Sequence, residues 1–388
     1  MVPSGWKPCA LIDMTNWSSG GTPTKSNPGY WGGDIPWISA AAMRGQYYSN
    51  SDKSITELAV NEKAKMAEKG TILLLVRGSM LWNKIPVGIT SRRVAFNQDV
   101  KNISPKSQLL DVTFLLYWFL AKENKLMGMV TGTGIGAGKL DTTDLQSLDV
   151  FLPPLPEQQK IAKILSTWDK AISTTERLIE NSKQQKKALM QQLLTGKKRL
   201  QDESGKPFYG EWHTKKLSDV FSFSTASSKT KFIDNSGRNY ILDMGSVSRT
   251  GRLIPSKRTK ISKDYLSTGQ LVMPKDDIGG GQIIGRVGYI DKNETYILSD
   301  HVYCLTPKSE CSLRRKANGT AQLGLGKKDA EKQPVYIPGN IVEQQKIAFV
   351  LTNTDQGIDL LIQQLADLKQ EKKALMQQLL TGKRRVTV

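Results

Sequence analysis

The chain has 388 residues, 38% of them hydrophobic and 7% aromatic, which is enough for two or three domains that each bury a core. Lysine and arginine number 55 against 36 acidic residues, giving a net charge of +19. An excess of this size favours a polyanionic partner, because phosphates neutralised by basic side chains release condensed counterions. A basic surface that serves only solubility is the alternative.

Cysteine and histidine usage argues against several classes of site. The three cysteines have no metal-ligand spacing and there are only two histidines, so we expect no disulfide scaffold, no metal site and a reducing environment. The longest apolar run, residues 112–121, is too short to span a bilayer, and no signal peptide opens the chain. We therefore predict a cytoplasmic protein with no membrane contact.

Residues 1–156 predict a first globular domain of mixed type. Residues 70–77 (GTILLLVR) indicate a buried strand after a turn, and residues 111–124 indicate a helix. Short β runs and turn residues dominate elsewhere, which is typical of an α+β domain.

A glycine-rich loop, residues 131–139 (TGTGIGAGK), follows this helix. It is not a Walker A loop, because Thr133 stands where the first glycine belongs and Leu140 where the magnesium-binding hydroxyl belongs. It also lacks the order of a dinucleotide-binding turn, so a nucleotide hydrolase is retained only as a formal rival. Glycines allow close backbone approach and exposed N–H groups can receive a phosphate oxygen, so we expect contact with nucleic-acid backbone; a flexible surface loop is the alternative.

The most informative feature is an internal repeat. Residues 157–199 recur at 343–385, displaced by 186 residues, and 24 of the 43 positions are identical without a gap. Apolar residues fall at alternating steps of three and four in both copies, as a coiled coil requires. Prolines precede the first copy and Gly196 and Gly382 end the two copies, so each predicts a helix of about 38 residues, or roughly 57 Å.

An apolar stripe on so long a helix needs a partner. The other copy is the obvious one, and packing of each helix on its own globule is the alternative. The predicted seam comprises Ile161, Leu165, Trp168, Ile172, Leu189 and Leu193 in the first copy, and Ile347, Leu351, Ile358, Leu361, Leu375 and Leu379 in the second.

Residues 200–342 predict a second globule that repeats the first more faintly. Residues 269–275 correspond to the strand at 70–76, and residues 302–308 correspond to residues 100–106. A second loop, residues 319–328 (GTAQLGLGKK), lies 24 residues before Glu343, much as Gly132 lies 25 residues before Glu157.

No catalytic constellation stands out, since the two histidines lie in different neighbourhoods and no amino-methyltransferase signature is present. The chain resembles the specificity subunit of type I restriction–modification systems, the HsdS type, over essentially its full length. The resemblance rests on residues 20–24 (GGTPT), 30–38 (YWGGDIPWI) and 152–162 (LPPLPEQQKIA), and on the duplicated KKALMQQLLTGK helix ends. The second half lacks the first two blocks.

The resemblance implies a fold and a set of partners. Residues 1–156 and 200–342 would be target recognition domains, and the helices, residues 157–199 and 343–388, would form an antiparallel coiled coil with a pseudo-twofold internal repeat. Each globule would read one half of a bipartite, asymmetric target in double-stranded DNA, and the helices would set the spacer and dock two methyltransferase subunits. S-adenosylmethionine, ATP and Mg²⁺ are expected on the partner subunits, which include restriction subunits in the family, and no cofactor or metal on this chain. A coiled-coil architectural DNA-binding protein without enzyme partners is the rival.

Candidate DNA contacts follow from residue type, because arginine and lysine read guanine or hold phosphate while glycine-rich loops expose backbone N–H groups. In the first globule they are Arg77, Trp82, Lys84, Arg92, Arg93, Gly132, Thr133, Gly134 and Lys139. In the second globule they are Lys257, Arg258, Lys275, Arg286, Arg314, Arg315, Gly319, Thr320, Lys327 and Lys328.

Overall fold

A computed structural model describes residues 3–62, 64–134, 136–276, 282–308 and 326–387. The chain forms two compact units: unit 1 comprises residues 1–177 and 362–388, and unit 2 comprises residues 178–361. Each unit takes one globule and one half of each long helix. The four domains predicted from the sequence follow the chain instead, and that division stays a prediction.

Unit 1 holds the first globule. Its strands are β1 Lys7–Ala10, β2 Thr15–Ser19, β3 Trp31–Ile38, β4 Tyr47–Tyr48, β5 Ser54–Ile55, β6 Met66–Ala67, β7 Ile72–Leu75, β8 Arg77–Gly78, β9 Val87–Thr90, β10 Val94–Phe96, β11 Val100–Pro105, β12 Thr131–Gly132, β13 Gly138–Lys139 and β14 Asp149–Leu152. Its helices are α1 Leu11–Met14, α2 Glu57–Glu62, α3 Val112–Ala121, α4 Glu123–Gly128, α5 Thr142–Gln146 and the first half of α6 Leu155–Leu194, with 3₁₀ turns at Pro28–Tyr30, Ala40–Ala42 and Ser79–Trp82.

The core of the first globule lies between a five-stranded sheet, ordered β2-β11-β7-β9-β4, and helix α3. All four residues of β7 are buried, which is why this strand is a continuous apolar run rather than an alternating one. The Asp111 carboxylate accepts a hydrogen bond from the backbone N–H of Phe114 at 2.8 Å and so caps α3. A second sheet, ordered β5-β3-β10-β6, contains the parallel pair β3 and β10.

Unit 2 holds the second globule. Its strands are β15 Trp212–Lys216, β16 Phe221–Ser224, β17 Asn239–Leu242, β18 Lys257–Thr259, β19 Leu271–Pro274, β20 Gly288–Tyr289, β21 Tyr296–Leu298, β22 Val302–Pro307 and β23 Pro334–Pro338. Its helices are α7 Leu217–Val220, α8 Lys327–Glu331 and the first half of α9 Ile341–Leu380, with 3₁₀ turns at Thr230–Phe232 and Met244–Ser246.

The strand order of the second globule repeats that of the first. The sheet β16-β22-β19-β20 corresponds to β2-β11-β7-β9, and the parallel pair β17 and β21, flanked by antiparallel β18, corresponds to β3 and β10 flanked by β5. Each globule also pairs its first strand with the strand that precedes its long helix. The faint correspondences seen in the sequence, and the α+β class, are therefore confirmed.

The two long helices each contain 40 residues, close to the predicted length. Pro156 is accommodated in the first turn of α6, where its missing N–H leaves no intrahelical bond unmade. Gly196 and Gly382 follow the helix ends with φ of 69° and 67°, a conformation that favours glycine. The backbone N–H groups of Gly196 and Gly382 donate to the carbonyls of Leu193 and Leu379, and those of Lys198 and Arg384 donate to the carbonyls of Gln192 and Gln378. The last turn of each helix therefore keeps partners for its carbonyls.

Candidate nucleic-acid interface

In the first globule, the glycine loop lies directly against Arg77. Strand β13 pairs with β12 on one side and with β8 on the other, which sets Lys139 opposite Arg77. The chain approaches closely here: a Cβ at Gly138 would lie 2.7 Å from Cγ1 of Val130. The structure thus brings Arg77, Lys139 and the loop together, as a candidate interface requires.

The described residues of the loop form a hairpin between β12 and β13. The backbone N–H and hydroxyl of Thr133 donate to the carbonyl oxygen of Ala137 at 3.0 and 2.9 Å. Gly134 and Gly136 take φ of 78° and 79°, and the indole N–H of Trp82 donates to the Gly136 carbonyl at 3.1 Å. Because a P-loop joins a strand to a helix and this loop joins two antiparallel strands, the geometry argues against nucleotide binding.

The exposed surface around this hairpin suits a nucleic acid. Arg77, Gly132, Gly134 and Lys139 are exposed, and the Trp82 side chain is 47% exposed beside them. Lys139 lies 3.7 Å from Asp141, but both side chains are about half exposed, so this ion pair leaves the ammonium available to a phosphate. We call Arg77, Trp82, Lys139 and residues 131–134, 136 and 137 the loop cluster.

The other basic candidates of the first globule have different surroundings. Lys84 is exposed just after the 3₁₀ turn that carries Trp82. The Arg92 guanidinium donates to the carbonyl oxygen of Asp34 at 3.3 Å, and Arg93 lies 3.6 Å from Glu57 and 3.4 Å from Glu68. Both arginines therefore contact residues outside the loop cluster.

In the second globule the basic candidates lie on several elements. Lys257 pairs with Asp243 at 2.5 Å, and Arg258 stacks on Tyr240 with its guanidinium 5.5 Å from the ring centre. Lys275, at the end of β19, lies over the Tyr303 ring at 5.7 Å. The Arg286 side chain donates to the Gln282 carbonyl at 3.5 Å.

Most of the second glycine loop, predicted to be equivalent to the first, lies outside the described residues. Gly319, Thr320, Arg314 and Arg315 lie outside the described residues. Lys327 and Lys328 belong to α8, which precedes β23 as α5 precedes β14, so their predicted equivalence to the end of the first loop is wrong. The sequence match failed because Gly326 stands at the N-cap of a helix, whereas Gly138 lies in a strand.

Each unit shows the end of one long helix packed against the start of the other. In unit 1, buried Ile161 and Leu165 of α6 share a cluster with Leu375 and Leu379 of α9. In unit 2, fully buried Leu193 of α6 packs with Ile347 and Leu351 of α9. The helices are therefore antiparallel.

All predicted seam residues are buried or half-buried, including Trp168, Ile172, Leu189, Ile358 and Leu361. In unit 1 the seam continues into the core of the globule, so helix pairing and packing of the helix on its own globule occur together rather than as alternatives. This continuity ties each globule to the helix ends beside it.

A duplicated ion pair, not anticipated from the sequence, explains the repeated EQQKIA motif. Glu157, 2% exposed, accepts two hydrogen bonds from the Arg385 guanidinium at 2.7 and 2.8 Å and one from the Trp6 indole at 3.2 Å. Glu343, fully buried, accepts two from Arg199 at 2.6 and 2.7 Å, in the same arrangement. These hydrogen bonds raise the pKa of both arginines.

The glutamine that follows each of these glutamates is also structural. Gln158 donates to the carbonyls of Leu109 and Pro153, both at 2.9 Å, and accepts from the backbone N–H of Asp111 at 2.8 Å. Gln344 donates to the Pro338 carbonyl at 2.8 Å. The motif thus holds the globule, the start of one helix and the end of the other in one place, and its repetition is the signal that could have revealed it.

A family model for the type I restriction modification DNA specificity domain matches residues 3–183 and 209–370. The chain belongs to this family. No helix in the described part of the chain is both long and apolar enough to cross a membrane. Among those residues, no group of three or more His, Cys, Asp or Glu is arranged to hold a metal ion.

Curated relatives carry the same description. The chain is 30% identical over 245 residues to the MjaIX specificity subunit of Methanocaldococcus jannaschii, an alignment covering 58% of this chain and 54% of that protein. It is 30% identical over 166 residues to the EcoR124I/EcoR124II specificity subunit of Escherichia coli, covering 42% and 40%. The MjaVIII specificity subunit of M. jannaschii is 27% identical over 417 aligned residues, covering 99% and 94%. The chain thus spans about half of the first two relatives and nearly all of the third.

Solved structures agree on the fold. A type I restriction–modification S subunit from M. genitalium superposes with a TM-score of 0.58 at 16% identity, over 98% of this chain and 99% of that one. A chain from a structure of type I complex assembly and conformational transition gives 0.58 at 13% identity, over 98% of each. At such identities the likeness shows the fold alone.

Proposed function

We propose that this chain is the specificity subunit of a type I restriction–modification complex, in which residues 1–156 and 200–342 each read one half of a bipartite, asymmetric DNA target. The observation that carries the proposal is the repetition of one strand framework with different side chains at equivalent places. A repeated framework supports two comparable modes of docking on DNA, and different side chains support two different sequences.

Affinity and specificity would come from different groups. The exposed lysines and arginines and the glycine hairpin of the loop cluster suit phosphate oxygens, which position a protein on DNA without reading its sequence. The exposed Trp82 ring is held by its hydrogen bond to the Gly136 carbonyl, so it starts from a fixed geometry and loses little freedom on binding. Strand pairing fixes the backbone of Arg77 beside it.

The chemistry would belong to other chains. We propose that two methyltransferase subunits dock on this chain, bind S-adenosylmethionine and methylate adenine, and that ATP and Mg²⁺ serve restriction subunits where these are present. The duplicated Glu–Arg pairs support equivalent docking positions on the two halves. We also predict that the length of the helices sets the number of unread base pairs between the two half-sites. The rival, an architectural DNA-binding protein without enzyme partners, is not favoured by the family match.

The test is a domain exchange read out by adenine methylation. Methylated adenines would be mapped across a host genome that carries the system, first with the wild-type chain and then with residues 1–156 exchanged for those of another family member. The exchange would retain Trp6, because its indole helps to hold Glu157. We expect one half-site to change and the other to persist; a change in both half-sites, or no bipartite target, would contradict the proposal.

A further inference from the structure

The two globules place opposite charges at one equivalent position. In the first, Val100 of β11 pairs with Leu75, the last residue of β7; in the second, Val302 of β22 pairs with Pro274, the last residue of β19. The equivalence extends one residue beyond the end of β7 and of β19. In both globules the backbone N–H of that residue donates to the carbonyl of the residue before β11 or β22.

Two equivalent backbone hydrogen bonds establish which residues of the two globules correspond. Val76 N–H donates to the Asp99 carbonyl at 2.8 Å, and Lys275 N–H donates to the His301 carbonyl at 3.0 Å. Counting on by one residue makes Arg77 equivalent to Asp276, and Asp99 equivalent to His301. The positions of Arg77 and Asp99 in the first globule are therefore occupied by Asp276 and His301 in the second.

Asp276 is held in a defined geometry. Its Oδ2 lies 2.5 Å from Nδ1 of His301, and the two side chains are 44% and 49% exposed, so the pair is fixed yet open to a ligand. Among the described residues, its Oδ1 has no hydrogen-bond partner. His301 has a φ of 61°, a left-handed conformation that is uncommon outside glycine. Such a backbone persists where the surroundings enforce it, often at a binding site.

A carboxylate on a DNA-facing edge has a restricted use. It is repelled by phosphate, so it adds nothing to non-specific affinity, but it accepts a hydrogen bond from an exocyclic amino group, most typically N4 of cytosine in the major groove. The equivalent Arg77 has the complementary preference, for O6 and N7 of guanine. Lys275, adjacent in the chain, offsets the repulsion from the duplex.

We propose that Asp276, positioned by His301, reads an exocyclic amino group in the half-site of the second globule, at the place where the first globule presents Arg77. This inference rests on the proposed function. Asp276 is the specificity-determining residue and His301 is a positioning residue, since it acts by orienting the carboxylate.

The test uses the full chain assembled with its methyltransferase subunits. The second half-site is the one that changes when residues 200–342 are exchanged. Duplexes with each base pair of that half-site substituted in turn would compete against the mapped target at fixed salt. One further set would carry a cytosine analogue that lacks the 4-amino group.

We expect Asp276→Asn to lose about tenfold in discrimination at a single base pair of the second half-site. Removal of the amino group should weaken the wild-type complex but leave Asp276→Asn little changed. His301→Asn, which tolerates the left-handed backbone, should reduce discrimination at the same base pair. Asp264→Asn is the control: Asp264 is exposed in the same globule, so the variant changes the net charge equally.

Two outcomes would overturn the inference while leaving the proposed function intact. One is unchanged discrimination by Asp276→Asn at every base pair of the second half-site. The other is a uniform rise in affinity that Asp264→Asn reproduces, which would mark Asp276 as a surface charge only. A wild-type complex that recognises no bipartite target would instead contradict the proposed function itself.

Discussion

The interaction of Asp169 with Lys372 offers a sharp test of how the helices are held together in unit 1. Asp169 of α6 accepts a hydrogen bond from the Tyr117 hydroxyl at 2.6 Å and one from the Lys372 ammonium of α9 at 2.5 Å. Burial, and the hydrogen bond to Asp169, raise the pKa of Tyr117, so its hydroxyl stays a neutral donor. The carboxylate therefore joins the globule to both helices.

We expect Asp169→Asn to lower the free energy of unfolding of unit 1 by about 3 kcal/mol. Removing one member of a buried ion pair costs roughly 3–5 kcal/mol, because the remaining charge is left without a partner. The side chains of Lys372 and Asp169 are 12% and 25% exposed, so water recovers part of that cost. With a urea m value of about 2–3 kcal/mol per M, the midpoint should fall by roughly 1–1.5 M.

Intrinsic tryptophan fluorescence in urea is the natural measurement, because seven of the eight tryptophans lie in residues 1–177 and so report on unit 1. Asp367→Asn is the control, since Asp367 is exposed on α9 and accepts an i,i+4 hydrogen bond from Gln363, an interaction of about 0.5 kcal/mol or less. The double variant Asp169→Asn with Lys372→Met should recover most of the loss, because it leaves no buried charge unpaired and the asparagine carbonyl still accepts from Tyr117. If Asp169→Asn behaved like Asp367→Asn, the reasoning would be refuted.

Three further predictions concern unit 1 and unit 2 separately. Leu193→Ala should destabilise unit 2 by about 2–4 kcal/mol, because Leu193 is fully buried. Leu360→Ala, at a side chain 72% exposed, should change stability by about 0.5 kcal/mol or less, and urea denaturation followed by far-ultraviolet circular dichroism would check both. Gly357→Ala should stabilise α9 by about 0.5–1 kcal/mol, since nothing lies within 4 Å of the added Cβ, and a lowered melting temperature would contradict this. Gly20→Ala should lower the stability of the first globule, because the added Cβ would lie 2.2 Å from the carbonyl oxygens of Phe96 and Asn97. Gly128→Ala is the control, since nothing lies within 4 Å of its added Cβ; equal melting temperatures for the two variants would contradict the prediction.

The long helices were predictable because their information is local. A 4-3 apolar spacing and a glycine just past the end specify each helix from within its own sequence, and prolines mark the entry of the first. All the predicted seam residues are buried or half-buried. The antiparallel direction was implied by the family resemblance. The periodicity alone did not decide it, because an apolar stripe looks the same to a parallel partner.

The polar contacts that fix this arrangement were not predictable from spacing. Glu157 and Arg385 are 228 residues apart, and each looks like an ordinary surface charge until the fold brings them together. Arg199, just beyond the end of the first long helix, is likewise paired with buried Glu343. Long-range pairing carries no local signature, because it depends on the path of the chain between the two residues.

The candidate interface shows the same division. Sequence alone argued against a nucleotide-binding loop at residues 131–139, since that chemistry needs particular residues at particular spacings, and the hairpin geometry argues against it as well. Residue type alone could not separate Arg77, which lies in the loop cluster, from Arg93, which lies between two carboxylates. Residue type also gave no reason to predict a role for Asp276, because phosphate repels a carboxylate and the candidates were chosen among basic residues.

The sequence by itself therefore determined the twofold repeat, the two helices and the family, because repetition, periodicity and helix-ending residues are properties of the local sequence. Only the tertiary structure decided which charges are neutralised, which remain exposed, and that Asp276 occupies the place of Arg77. The physical reason is that hydrogen bonds between strands and ion pairs between helix ends join residues far apart in sequence, and their partners are fixed only when the whole chain has folded.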